Sequence, residues 1–155
     1  MAIEIERKFL VRDDGWMAFV TATRALRQGY LAAAPDRSIR VRIDGPDAWL
    51  TLKFGAAGPA REEFEYAVPL ADAEAMFTHA AGVIAKRRHL VACNGRIYEI
   101  DVFAGPLAGL VMAELETPET VADADLPDWL GREVTEDPRY YNAVLARDGL
   151  PGAAE

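Results

Sequence analysis

Hydrophobic and polar residues alternate with a period of two along most of this chain. In residues 3–11, Ile5 and Phe9 fall on one side of the pattern, and Glu6 and Lys8 fall on the other. Successive side chains of a β-strand point to opposite faces, so the alternation predicts strands that each carry one apolar face. The pattern returns, more weakly at first, in residues 25–31, 38–43, 49–54, 61–68, 83–92, 96–103 and 111–117. The prediction is a mainly antiparallel β domain whose strands end at Thr117.

Turn and helix signals separate these segments. Asn94-Gly95 is the strongest hairpin signal, and residues 44–47 read Asp-Gly-Pro-Asp, which is typical of a turn. A short helix is predicted in residues 15–23, after Asp14, and another begins at Asp72 as N-cap and stops at Gly82. A helical turn is predicted around residues 127–130. A last helix follows Asp137 as N-cap, with Pro138 at its first position and Gly149 just past its end.

Composition narrows the classes of protein. The 155 residues suit one domain, 1–155, and 51% hydrophobic with 27% charged residues is typical of a soluble globular protein. The net charge of −8 disfavours non-specific binding to nucleic acid or to an anionic membrane. Residues 102–113 form the longest uncharged stretch, shorter than the ~18 residues of a membrane helix. Glu4 and Glu6 stand where a signal peptide would carry basic and then apolar residues, so a cytoplasmic location is expected.

The polar faces of the predicted strands are almost entirely charged. Their residues are Glu4, Glu6, Lys8, Arg40, Arg42, Lys53, Glu63, Glu65, Lys86, Arg88, Glu99, Asp101, Glu114 and Glu116. Strands disfavour such residues on a solvated face, and like charges along one strand repel each other. The charges could form a salt-bridge lattice in water, or they could line an interior that binds ions. Their recurrence in so many strands favours the interior.

The types of charge indicate which ions such an interior would bind. Carboxylates without a cysteine or histidine cluster favour Mg²⁺ or Mn²⁺, and Cys93, His79 and His89 are too few to make such a cluster. Several Lys and Arg residues suit a linear chain of phosphates. Alternation selects Arg88 rather than Arg87 for this face, although a β-bulge would exchange them. His89 is then expected to face outward, with a role as general base the less favoured alternative.

These residues also carry a family resemblance. Glu4-Ile5-Glu6-Arg7-Lys8-Phe9-Leu10 resembles the Glu-x-Glu-x-Lys signature of the triphosphate tunnel metalloenzymes, the CYTH domain family, and in particular its short bacterial inorganic triphosphatase-like members. The likeness continues through Gln28-Gly29-Tyr30-Leu31, Arg40-Val41-Arg42, Thr51-Leu52-Lys53, residues 61–66, Lys86-Arg87-Arg88, residues 98–101, Glu114-Leu115-Glu116 and Glu133-Val134-Thr135. The resemblance implies an α+β, mainly β fold: a closed eight-stranded antiparallel barrel with a charged tunnel inside and helices packed outside.

The resemblance also implies roles for individual residues. Glu4, Glu6 and Glu116 would hold the catalytic Mg²⁺ or Mn²⁺, and Glu114 would orient neighbours or assist a second metal ion. Lys8 and Tyr30, with Glu6, would act at the reacting phosphate. The phosphate-binding set would be Lys8, Arg40, Arg42, Lys53, Arg61, Lys86 and Arg88, with Glu63, Glu65, Glu99 and Asp101 as supporting carboxylates.

The expected activity is metal-dependent hydrolysis of inorganic triphosphate or a short polyphosphate, by in-line attack of a water on the terminal phosphorus. Two alternatives use the same tunnel: an adenylate cyclase and a thiamine triphosphatase. A third is a non-catalytic sensor of polyphosphate or nucleotide, which carboxylates among the phosphate ligands disfavour. The expected partner is a small polyanion, with neither nucleic acid nor membrane, and the oligomeric state is left open, with a homodimer as one alternative.

Overall fold

A computed structural model of the protein describes residues 5–55 and 62–152. The strands are β1 (Ile5–Val11), β2 (Val20–Ala34), β3 (Arg37–Asp44), β4 (Asp47–Phe54), β5 (Glu62–Ala67), β6 (Gly82–Cys93), β7 (Arg96–Phe103), β8 (Val111–Thr117) and β9 (Leu130–Glu133). The α-helices are α1 (Leu70–Met76) and α2 (Asn142–Asp148), and 3-10 helices occupy Asp14–Phe19, Phe77–His79, Gly105–Leu107, Asp123–Asp125 and Pro138–Tyr140. None of the helices in these ranges is long and apolar enough to cross a membrane.

The strands form one antiparallel sheet in the order β5-β4-β3-β2-β6-β7-β8-β1-β9. The mainly β prediction is therefore confirmed, but the expected closed barrel of eight strands is not what the described residues form. A ninth strand, β9, pairs with the free edge of β1, and no hydrogen bonds join β9 to β5 within the described ranges. The prediction that the strands end at Thr117 was wrong because four residues are too few to show a clear alternation.

Strand β2 is much longer than the alternation predicted. It runs for 15 residues and pairs with β6 from Val20 to Tyr30 and with β3 from Leu26 to Ala34. The helix predicted for residues 15–23 is only a 3-10 helix that ends at Phe19. The β-branched residues that follow pair with β6, and this sheet pairing overrides the weak local signal for a helix.

The other helices also differ in detail from their predictions. Helix α1 begins at Leu70 with Asp72 inside its first turn. Residues 127–130 form a single hydrogen-bonded turn, in which the Leu130 N–H donates to the Pro127 carbonyl, and β9 begins at Leu130. Asp137 caps the 3-10 helix by accepting a hydrogen bond from the Arg139 N–H. The chain is extended at Tyr141 before α2, which ends at Asp148. Gly149 lies just past the end of the helix, as predicted, with a φ of 77°.

Apolar side chains pack on both faces of the sheet. On one face, a core that includes Trp16, Ile100 and Trp129 covers β1, β7 and β8, and α1 packs over Val41 and Ile43 of β3. The opposite face carries the charges. At one end of that charged face lies a third core, which consists of Ile84, Phe103, Leu107, Leu110, Met112, Val134, Tyr140 and Leu145. Helix α2 and the segment before it thus close one end of the charged face.

Candidate active site

The strand register collects the predicted charges on a single face. Glu6 lies opposite Glu116, and Lys8 lies opposite Glu114. Glu114 in turn lies opposite Glu99 on β7. Directly opposite residues of an antiparallel pair share a face, so β1, β8 and β7 bring their carboxylates together.

Most of the remaining charges lie on the same face across β2–β6. Arg40 lies opposite both Tyr30 of β2 and Thr51 of β4, and Arg42 lies opposite Gln28. The cations of β3 therefore face the same side as the carboxylates of β1 and β8. Glu63 and Glu65 lie on the edge strand β5, where the Glu63 carboxylate is 3.9 Å from Lys53 Nζ and the Glu65 carboxylate accepts a hydrogen bond from Thr51 at 3.1 Å. Glu4 and Arg61 lie outside the described residues.

A cavity of about 500 Å³ opens onto this face. It is lined by Glu6, Lys8, Tyr30, Ala33, Ala34, Pro35, Ser38, Arg40, Thr51, Lys53, Tyr141, Asn142, Ala143, Val144 and Arg147. Residues of α2 and the preceding segment form its wall opposite the sheet, and the Lys8 ammonium lies 5.7 Å from the centre of the Tyr141 ring. The charged face thus borders a cavity large enough for a small polyanion.

Acidic groups at the cavity repel one another. Burial raises the pKa of Glu6, and the charge of Glu114 raises it further. Lys8 relieves part of this repulsion, with its Nζ 3.5 Å from Glu114 and 3.8 Å from Glu6. Within residues 5–55 and 62–152 no three potential metal ligands form a ready cluster. The oxygen donors nevertheless fit a hard divalent cation, which would lower the cost of holding Glu6 and Glu114 ionised together.

Arg40 and Arg42 differ from the other cations of the charged face because no carboxylate of the described chain lies within 4.0 Å of either guanidinium. The Nε atoms of both residues are buried without a hydrogen-bond partner. Burial lowers the pKa of Arg42, and the neighbouring charge of Arg40 lowers it further. Unpaired, partly buried guanidiniums of this kind are suited to bind an anion.

Tyr30 is a hydrogen-bond donor at neutral pH. Burial raises the pKa of its phenol, although the charge of Arg40 and a hydrogen bond with Arg40 oppose part of that rise. The phenol therefore stays protonated, and it borders the cavity beside Arg40.

Lys86, Arg88 and Asp101 form a buried ion cluster at the centre of the charged face. The Asp101 carboxylate accepts hydrogen bonds from Arg88 at 2.8 and 2.9 Å and is 2.8 Å from Lys86 Nζ. Burial alone would raise the pKa of Asp101, but the hydrogen bonds from Arg88 and the two positive charges hold it below its usual value. Burial lowers the pKa of Lys86, whose Nζ also lies 3.5 Å from the Asn142 side-chain oxygen. Both cations are thus engaged by protein groups.

The structure also settles the choice between Arg87 and Arg88. Arg88 shares the charged face with Asp101 and Glu99, with its Nη1 3.2 Å from the Glu99 carboxylate, whereas Arg87 is exposed. His89 faces the other side, where its ring lies 5.2 Å from Trp16 and its Nδ1 lies 2.8 Å from the Thr23 hydroxyl.

Sequence reasoning missed two polar residues of the charged face, Arg24 and Gln28. Arg24 lies opposite Arg88 and is 3.4 Å from the carboxylate of Asp44. Gln28 lies opposite Arg42 and is 2% exposed. The available signal was the spacing of Arg24, Gln28 and Tyr30 by even numbers along β2, but the intervening small residues hid it.

Comparison with known proteins agrees with this geometry. The CYTH domain model matches residues 2–142. The chain belongs to the CYTH domain family. An inorganic triphosphatase of Acetivibrio thermocellus is 39% identical over 150 residues, which cover 96% of this chain and 96% of that protein. An inorganic triphosphatase of Nitrosomonas europaea is also 39% identical, with 92% of this chain and 96% of the relative covered.

A solved structure extends this likeness to three dimensions. The crystal structure of the inorganic triphosphatase NE1496 superposes on this CYTH protein with a TM-score of 0.75 and 36% identity, covering 98% of this chain and 99% of the other. Fold and sequence similarity therefore extend over almost the whole chain.

Proposed function

We propose that this CYTH protein hydrolyses a phosphoanhydride bond of inorganic triphosphate with Mg²⁺ or Mn²⁺ as cofactor. The observation that carries the proposal is that Glu6 of β1 and Arg40 of β3 line one cavity. The strand register places the carboxylates of β8 and the guanidinium of Arg42 on the same face of the sheet. The names of the similar proteins from Acetivibrio thermocellus and Nitrosomonas europaea support the same substrate. A linear triphosphate carries the negative charge that these cations would bind.

The cationic side would bind the substrate and stabilise its reaction. Transfer of a phosphoryl group to water spreads negative charge over the transferred group and the leaving phosphate. Arg40 and Arg42 would hold phosphate oxygens, and Lys53, which also lines the cavity, would hold the next phosphate along. Lys8 lines the same cavity, with its ammonium beside Glu6 and Glu114, and it would neutralise charge on the reacting phosphoryl group. The protonated phenol of Tyr30 would donate a further hydrogen bond.

The carboxylate side would hold the cation. Glu6 and Glu116 lie opposite each other, and by resemblance Glu4 and Glu114 would complete or support the ligand set. When bound, Mg²⁺ or Mn²⁺ would neutralise phosphate charge and increase the electrophilicity of the phosphorus. Glu99 and Asp101 are then supporting groups, because both already interact with Arg88.

The test is phosphate release from inorganic triphosphate by wild type, Glu6→Gln and Glu116→Gln, with Mg²⁺ and with Mn²⁺. Loss of one carboxylate from the cation site should reduce kcat by about a hundredfold or more. The exposed Glu136→Gln is a matched control that should retain full activity. Wild-type turnover by both carboxylate variants would refute the proposed site.

A substrate panel separates this activity from its alternatives. It contains inorganic triphosphate, longer polyphosphate, ATP and thiamine triphosphate. Preferred release of phosphate from inorganic triphosphate supports the proposal. Formation of cyclic AMP and pyrophosphate from ATP would establish an adenylate cyclase. Preferred cleavage of thiamine triphosphate would establish a thiamine triphosphatase, and tight binding without turnover would establish a sensor.

A further inference from the structure

Three buried nitrogens without hydrogen-bond partners lie together on β2 and β3. They are Nε2 of Gln28 and the Nε atoms of Arg40 and Arg42. In the described part of the chain, the other buried polar atom of this kind is the hydroxyl of Tyr98, which belongs to the core on the opposite face. A buried N–H group without an acceptor is costly, so a cluster of them on one face indicates a ligand that supplies acceptors.

The register places these nitrogens on neighbouring positions. Gln28 lies opposite Arg42, and the next residue of β2 on the same face, Tyr30, lies opposite Arg40. Tyr30 and Arg40 line the cavity. Two residues of a strand span about 7 Å, so Gln28 and Arg42 lie about that distance further along the charged face than Tyr30 and Arg40.

We infer that Gln28 is a substrate-binding residue, whose side-chain amide donates to an oxygen of the phosphate held by Arg40 and Arg42. The inference rests on the proposed function and adds to it a neutral member of the phosphate site. A third cation here would increase the repulsion that already lowers the pKa of Arg42. The amide adds N–H donors without adding charge, and phosphate oxygens would accept hydrogen bonds from these donors.

The inference makes opposite predictions for binding and for stability. In Gln28→Leu the side chain keeps a similar volume but loses its donors. Removal of an unpartnered buried amide should leave the melting temperature of the free protein unchanged or higher. The same substitution should weaken triphosphate binding by about ten- to hundredfold, because a hydrogen bond to a charged group is lost. A Gln28 that only supports the fold would instead lower the melting temperature and leave affinity unchanged.

The experiment measures binding of inorganic triphosphate by calorimetry, with EDTA present to prevent turnover, and KM and kcat with Mg²⁺. Gln28→Leu and Gln28→Glu are compared with Thr23→Val, a change on the other face of the same strand. Gln28→Glu places a carboxylate beside the phosphate, so its affinity should fall further than that of Gln28→Leu. Thr23→Val should bind like wild type.

Several outcomes would overturn the inference. Wild-type Kd and KM in Gln28→Leu would do so, and if that variant does not fold, wild-type affinity in Gln28→Glu would do so instead. If wild type hydrolyses triphosphate and both variants bind it with wild-type affinity, the role of Gln28 is refuted but the proposed function is not. Wild-type protein that binds triphosphate without hydrolysing it refutes the proposed function, while weaker binding by the variants would still support the role of Gln28. Failure of wild type to bind triphosphate with EDTA or with Mg²⁺ refutes both.

Discussion

Replacement of Asp101 by asparagine should strongly destabilise the protein. The aspartate is 4% exposed and is contacted at 2.8–2.9 Å by Lys86 Nζ and by the Nε and Nη2 atoms of Arg88. Asparagine keeps the shape of the side chain but removes its charge. Two buried cations would then remain without their principal anion, which raises the free energy of the folded state.

The size of the effect follows from the burial of the cluster. Loss of one member of a buried ion pair costs about 3–5 kcal/mol. For a domain of this size each kcal/mol lowers the melting temperature by about 2–4 °C, so Asp101→Asn should melt about 6–20 °C below wild type. The control is Asp125→Asn, which alters an exposed aspartate and should leave the melting temperature within about 2 °C.

The pH dependence of this difference has a definite sign. Because the pKa of Asp101 is lower in the folded protein than its ordinary value of 3.8, its stabilisation is complete above that value. It is lost as the pH falls through the lower folded-state pKa. Thermal unfolding followed by circular dichroism should therefore show the largest difference between wild type and Asp101→Asn near neutral pH and a smaller difference in acid.

A second substitution tests the cause. Lys86→Met in the Asp101→Asn background removes one of the stranded cations and places an apolar chain beside Phe103, whose ring the Lys86 ammonium now faces at 5.3 Å. The double variant should recover part of the lost stability. A melting temperature for Asp101→Asn within about 2 °C of wild type at pH 7, or a double variant less stable than the single one, would refute this account.

Two further predictions concern α2 and the cavity. A Cβ at Gly82 would lie 2.5 Å from the Ala146 carbonyl oxygen, so Gly82→Ala should displace α2 and lower the free energy of unfolding in urea by about 1–3 kcal/mol. Gly152→Ala is the control, because nothing lies within 4 Å of a Cβ there. Equal stability of the two variants would contradict the packing argument. Tyr30→Phe should lower kcat/KM without moving the alkaline limb of the pH profile, because burial raises the pKa of the phenol above its usual value; loss of that limb in the variant would show that Tyr30 titrates during turnover.

The charged face could be predicted from the sequence because alternation over many strands is a strong, repeated signal. The same alternation selected Arg88 over Arg87 correctly, since the bulges of β2 and β1 do not fall on β6 beside it. The sequence predicted too short a β2, because its small residues pack as well in a helix as in a sheet. Strand β9 was missed because its pairing with β1 is a tertiary contact between distant segments of chain.

Which cations of the charged face form ion pairs could not be predicted from the sequence. Sequence and resemblance placed Lys86 and Arg40 in one phosphate-binding set, since both follow the alternation. Which cation is paired depends on its cross-strand neighbour, and register between distant strands is not readable from local pattern. Lys86 faces β7 near Asp101, whereas Arg40 lies opposite an uncharged tyrosine and threonine.

Paired and unpaired charges therefore occupy different strands of the same face. On β6 and β7, opposite charges compensate one another in the cluster of Lys86, Arg88 and Asp101, and the apolar core under α2 packs at the end of the same face. On β3, Arg40 and Arg42 have no carboxylate within 4.0 Å in the described chain, and burial and the charge of Arg40 lower the pKa of Arg42, an effect that Glu65 and Asp44 only partly oppose. Binding of a polyphosphate at the proposed site would therefore stabilise the folded protein by linkage. Its oxygens would supply the negative charge that Arg40 and Arg42 lack.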